Sequence, residues 1–107
     1  MAELIKVPVC RERVRKIPRG FSWVDHRLVR ERHVERCSHA ALALYLFLVT
    51  VSDCDGLSWW GERSLSERLG MSVDRVRQSR AELEAADLVA FEDPLWQVLE
   101  LPERGQR

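Results

Sequence analysis

Residues 64–89 read SLSERLGMSVDRVRQSRAELEAADLV, and the reading of this stretch decides the fold. Ser64 and Glu67 stand at capping-box spacing and Leu65 and Leu69 lie four residues apart, which predicts an amphipathic helix about two turns long. Gly70 tolerates the positive φ that closes such a helix. Met71 offers an apolar side chain to the bend, and Ser72 supplies an oxygen that accepts from the free N–H groups of a second helix. That helix is expected over residues 72–86, with Val76 and Leu83 facing inward. At about 100° per residue, Asp74 and Gln78 then point outward while Arg75 and Arg77 flank them. Arg80 stands four residues before Glu84, so a pair with that glutamate, or snorkelling, is open to it.

Working outward, residues 88–91 and 95–101 are β-prone and are separated by Glu92, Asp93 and Pro94, so a hairpin follows the second helix. Upstream, residues 53–56 are turn material and residues 57–60 predict one short strand. Residues 40–51 form the one long apolar run, preceded by Ser38 as a helix start. A helix apolar on nearly every side must be buried on nearly every side, either at the centre of the domain or there and against a second copy. Its twelve residues fall short of the ~20 needed to cross a bilayer, so no membrane is expected.

Ser22 and Asp25 resemble a helix-starting cap, and Val24, Leu28 and Val34 offer a thin apolar stripe, which predicts a short helix through Arg36. Residues 5–9 are apolar but interrupted by Pro8, compatible with an edge strand or an extended arm. A basic run follows (Arg11, Arg13, Arg15, Lys16, Arg19), and the chain is expected to break near Gly20. The organisation read from sequence is thus a basic arm or edge strand over residues 1–20, one domain over 21–101 with an extra N-terminal helix, and a loose tail over 102–107.

The 107 residues suit one core, and 46% apolar with 32% charged content is that of a globular domain. Residues 1–16 lack an apolar stretch of signal-peptide length, so a cytoplasmic location is expected. Net charge is zero but unevenly distributed: residues 1–36 carry ten Lys+Arg against five Asp+Glu, a balance of +5. The balance is −2 over residues 37–63, +2 over 64–80 and −5 over 81–107. Cys10, Cys37 and Cys54 are odd in number and form no Cys-x-x-Cys pair, so reduced thiols are expected. His33, Cys37 and His39 are close in sequence but lack a paired-ligand spacing, and neither metal nor cofactor is expected. No nucleophile elbow, phosphate loop or paired-carboxylate motif brings Ser, His and Asp together, which points away from an enzyme. Trp23, Trp59, Trp60 and Trp96 are expected to pack in the core or at interfaces.

The features Leu65-x-x-x-Leu69-Gly70-Met71-Ser72, Val76, Leu83 and Leu88-Val89, with Asp55-Gly56-Leu57-Ser58-Trp59 upstream, resemble the winged helix-turn-helix of bacterial transcription regulators and replication-initiator-like proteins. The resemblance spans residues 38–101. It implies a mainly α fold with a small β-hairpin, and a second helix inserted into the major groove of double-stranded DNA. Ser72, Asp74, Arg75, Arg77 and Gln78 are then the groove-facing set, Gln78 suited to adenine and the arginines to guanine or phosphate. Arg11, Arg13 and Arg15 of the arm either add phosphate contacts or form a merely soluble arm. Asp74 and the hairpin tip, Glu92 and Asp93, depart from the basic residues of such domains. The role implied is a small transcriptional regulator or a mobile-element or replication accessory factor, with a homodimer formed through the apolar helix. The alternative is a helix-turn-helix used to assemble proteins without DNA.

Overall fold

The computed structural model describes residues 5–103. The arm's residues 1–4 and the tail's residues 104–107 therefore lie outside the described residues. Among the described residues the chain is α+β, with four α-helices and one three-stranded antiparallel sheet. Helix α1 covers Arg27–Arg30, α2 His39–Val51, α3 Glu62–Leu69 and α4 Val73–Ala85; β1 covers Leu57–Trp59, β2 Val89–Glu92 and β3 Leu95–Val98.

The apolar run becomes α2, started by Ser38, whose Oγ accepts from the Ala41 N–H at 3.2 Å. Ala41, Leu44 and Leu48 are fully buried, and Tyr45 nearly so. Burying one such leucine contributes about 2 kcal/mol. Helix α2 is less completely covered than its composition suggests, because Leu46 on its outer side stays exposed.

Helix α4 lies along α2 with Val76, Ser79 and Leu83 facing in, a stripe at helical spacing that Ala86 continues just past its end. Sequence reasoning turned Val76 and Leu83 inward and missed Ser79 and Ala86. Arg80 sits beside the stripe rather than in it: its guanidinium lies 4.6 Å from the centre of the Phe91 ring and 3.7 Å from Glu84. Both accommodations foreseen for it, a covered stem and an acidic partner, are present.

The sheet runs in the order β1-β3-β2, so the hairpin's second strand is central. Leu57, Ser58 and Trp59 pair with Gln97, Trp96 and Leu95, and the hairpin closes with Glu92 opposite Leu95. Trp96 is 1% exposed and its indole N–H donates to the Trp60 carbonyl at 3.0 Å, which ties sheet to helix layer. The Phe91 ring centre is 4.5 Å from that of Trp96, and Trp60 meets Phe47 of α2 edge-on at 4.8 Å. Of the four tryptophans only these two pack inward; Trp23 and Trp59 are exposed. Gly56, at φ +83, turns the chain into β1 so close to β3 that a Cβ would lie 2.5 Å from the Val98 carbonyl oxygen.

Some local expectations are corrected. The N-terminal helix does not run to Arg36: α1 ends after one turn, Arg32 adopts a left-handed conformation (φ 63), and His33–Arg36 is a 3-10 turn. The break lets Leu28 and His33, five residues apart, both reach the core. Asp25 starts α1 through its bonds to the Arg27 N–H and guanidinium, whereas the Ser22 hydroxyl donates to the Thr50 carbonyl. Of the edge strand or extended arm expected over residues 5–9, the arm is what forms, since these residues pair with no strand. The whole of residues 5–20 is exposed, interrupted by a 3-10 turn at Arg11–Arg13. Finally, β3 stops at Val98, three residues before the expected end of the hairpin, although Leu101 still docks on the core.

Glu82 of α4 accepts from the Ser38 N–H at 2.7 Å and from its hydroxyl at 2.9 Å, holding the start of α2 against the last turn of α4. These two bonds keep the Glu82 carboxyl below its ordinary range. A depressed folded value means that the stabilisation is complete above the unfolded glutamate value of about 4.3 and disappears as pH falls through the folded one. Glu82→Gln is expected to cost about 1 kcal/mol at pH 7, the range for a charged hydrogen bond discounted for solvent, with the deficit narrowing in acid. Urea titrations at several pH values check it.

Ser79 is fully buried and its Oγ has no hydrogen-bond partner. Removing an unsatisfied hydroxyl from an apolar stripe relieves its desolvation cost, so Ser79→Ala is expected to stabilise by about 1 kcal/mol. A higher urea midpoint at unchanged slope would show it.

Candidate functional site

Gly70 takes the left-handed conformation (φ 65, ψ 36) that ends α3, and the Met71 N–H donates back to the Ser66 carbonyl at 3.1 Å. The Ser66 hydroxyl donates to the Met71 carbonyl, locking the bend from the other side. Ser72 then caps α4 by accepting from the Arg75 N–H at 3.0 Å. The turn chemistry expected of Gly70 and Ser72 is present. The start of α3 is not as expected: it begins at Glu62, after Gly61, and no side chain caps it. Ser64 therefore lies inside the first turn. The Trp60 N–H donates to the Pro94 carbonyl at 3.2 Å, so the strand-to-helix link is pinned just before Gly61 and the helix starts at once.

Leu65 of α3 is fully buried and Leu69 and Met71 pack partly, closing the angle between α3 and α4. With Val76, Ser79 and Leu83 turned inward, the opposite face of the first two turns of α4 is exposed, and it carries Asp74, Arg75, Arg77 and Gln78 together. Ser72 at its head is exposed as well. The five residues singled out on this helix thus share one surface.

They are not all equally free. Arg77 makes a two-pronged pair with Glu62 of α3, Nε to Oε2 at 2.9 Å and Nη2 to Oε1 at 2.6 Å, with Asp74 3.7 Å away on its other side. The Arg77 bonds hold the Glu62 carboxyl below its usual range. Arg75 donates to Gln78 Oε1 at 3.2 Å, a bond between neighbours on one exposed face. Sequence reasoning missed Glu62, fifteen residues before its partner, because no periodic pattern links two helices that meet only in the folded chain. Arg68 of α3 packs its guanidinium 5.7 Å from the centre of Phe47 and 5.6 Å from that of Trp60, so it serves the interior edge of α3.

Arg11, Arg13 and Arg15 lie on the exposed arm, where the one side-chain hydrogen bond among the described residues runs from Cys10 to Glu12 at 3.5 Å. Among the described residues no hydrogen bond or ion pair joins them to the exposed face of α4. His33 and Cys37 are also otherwise engaged: His33 Nδ1 lies 2.7 Å from an Arg36 amino group, and the Cys37 thiol faces the His33 carbonyl at 4.0 Å. Among the described residues, no group of three or more His, Cys, Asp or Glu side chains is gathered as metal ligands would be, and no helix is long and apolar enough to cross a membrane.

Helix α2, strand β1, helices α3 and α4 and then the hairpin, with β3 between β1 and β2, form a small α+β domain whose order is compatible with a winged helix. Comparisons with protein-family models, curated proteins and solved structures returned no match.

Glu62 both occupies Arg77 and places a negative charge beside the exposed face. Glu62→Gln is expected to return the Arg77 side chain to solvent and to lower the urea midpoint slightly at pH 7, a deficit that narrows in acid because the lowered Glu62 carboxyl contributes only while it is ionised. Urea titrations at neutral and acid pH, compared with the unaltered protein, measure the change.

Proposed function

We propose that the chain is a winged helix-turn-helix protein that binds double-stranded DNA by laying the first two turns of α4 in the major groove. One observation carries this reading: a short helix closed by left-handed Gly70, a tight turn, and a Ser72-capped helix whose inner face is buried while Asp74, Arg75, Arg77 and Gln78 stand exposed together. A major groove about 12 Å wide admits a helix of this kind, and the positive end of its dipole favours phosphate near its start.

Roles follow from the contacts. Gln78 and Arg75 already orient one another, so they form the base-reading pair, with Gln78 suited to adenine and Arg75 to guanine. Ser72 accepts through Oγ from the Arg75 N–H and keeps its own O–H proton to donate to a phosphate. Arg77, braced by Glu62, sets the angle between α3 and α4 and contacts the backbone rather than a base. Asp74 is 88% exposed at its side chain and fits a cytosine amino group better than a phosphate. The acidic hairpin tip, Glu92 and Asp93, supports a hairpin that completes the core instead of gripping the backbone.

Selecting bound duplexes from a random pool tests the reading and returns the site. Arg75→Ala and Gln78→Ala are each expected to weaken the selected site by about 1–3 kcal/mol and to relax preference at one base pair, with affinity falling steeply as salt rises. Failure to bind any duplex at low salt, with a stable protein complex recovered instead, would replace DNA by protein assembly.

A further inference from the structure

The zero net charge of the chain conceals two opposed surfaces. Residues 5–20 carry Lys6, Arg11, Arg13, Arg15, Lys16 and Arg19 against Glu12 alone. The same stretch exposes apolar side chains that contact no core: Ile5 is 85% exposed, Ile17 81%, and Val9 completely so. The exposed apolar side chains of this segment gain from being covered, and its cations can keep their stabilisation under cover only against an acidic partner.

At the far end of α2 lies an open cleft of about 490 Å³, between the segment that follows the arm, the turn before β1 and the chain leaving β3. Its walls include Phe21, Trp23, Tyr45 and Val49, and its lining carries the carboxylates of Asp25, Asp53, Asp55 and Glu100. Arg27 is the one cation among its lining residues, and it is consumed by Asp25 at 2.8 Å. Asp53 is committed as well, accepting from the N–H groups of Asp55 and Leu57 through one oxygen. Among the described residues Asp55 and Glu100 make no side-chain bond and the partners of Asp53 are uncharged N–H groups, so these three carboxylates leave the cleft net negative. Apolar, aromatic and acidic, this cleft has the complement of the arm's chemistry.

We infer that the cleft receives the basic, apolar arm of a second copy of this chain, so that two copies exchange arms across a two-fold axis. Charge complementarity carries the assignment, since each copy supplies one cationic arm and one acidic cleft and both are satisfied in a symmetric pair. The arm leaves the domain at Gly20, beside the cleft wall formed by Phe21 and Trp23, and its sixteen described residues extend up to about 50 Å, enough to reach a neighbouring domain. Arm and cleft offer apolar surface and charge together, whereas Leu46 is the one strongly exposed large side chain of α2, so arm exchange is preferred here to a dimer face on α2. The inference stands independently of whether α4 meets DNA.

Sedimentation velocity on the full chain, its charge-reversed variants and their mixture provides the test. The full chain is expected to dimerise at micromolar concentration. Asp55→Lys with Glu100→Lys in one variant, and Arg13→Glu with Arg15→Glu in another, should each raise the dimer dissociation constant by about tenfold or more. Neither pair removes a buried group or a structural hydrogen bond, and circular dichroism confirms that both variants fold. Mixing the two equally restores both attractions and should restore the dimer. A full chain that stays monomeric overturns the inference, as does a dimer indifferent to both reversals. Recovery only when all four substitutions share one chain places the arm in its own cleft and overturns exchange. An arm variant that keeps its dimer but loses duplex binding assigns the arm to DNA instead.

Discussion

A thirteen-residue helix without one Asp, Glu, Lys or Arg has to be covered, and the arrangement of the domain follows from how α2 is covered. Water cannot solvate its leucines, so α4, α3 and the sheet are drawn against it and their apolar faces are oriented by that demand. Helix α4 presents Val76, Leu83 and Ala86, α3 presents Leu65, and β3 presents Trp96. The bonds from Ser38 to Glu82 then set the height at which α4 lies along α2, and the bond from Trp96 to the Trp60 carbonyl sets where the sheet meets the helices. These polar contacts add little energy beside the burial, but they select one arrangement from the several that apolar packing alone would allow.

The exposed face of α4 is a product of the same demand. Once one stripe of the helix is committed to α2, the residues about half a turn away are necessarily displayed, and Ser72 and Gly70 decide where along the chain that display begins. The Glu62 to Arg77 pair is where packing and surface chemistry meet, because it braces two helices with a cation that the surface would otherwise present. The arrangement trades one free positive charge for a defined angle between α3 and α4.

The fold was largely legible because its strongest signals are local. A left-handed glycine, a serine cap, an apolar run and a turn between β-prone segments each act within a few residues, and each appears within about a residue of where the sequence places it, Glu92 joining β2 instead of the turn. The failures share a different cause. The start of α3, the break at Arg32, the burial of Ser79 and the partnership of Arg77 with Glu62 all depend on residues remote in sequence that meet only after folding. A capping box at Ser64 is sound local chemistry, but the bond from Trp60 to Pro94 fixes the chain two residues before Glu62 and leaves that box unused.

By itself, then, the sequence determined the order and type of most elements, the turn between α3 and α4, and the set of side chains on the outer face of α4, because cap preferences and the 3.6-residue period act within a single segment. Tertiary structure alone decided that Arg77 is braced while Arg75 and Gln78 face solvent as a pair, that residues 5–20 stay exposed, and that scattered carboxylates and aromatics converge in one cleft. Those outcomes are set by where helices and loops meet in space, and neither the period of one helix nor the charge of one segment contains that information.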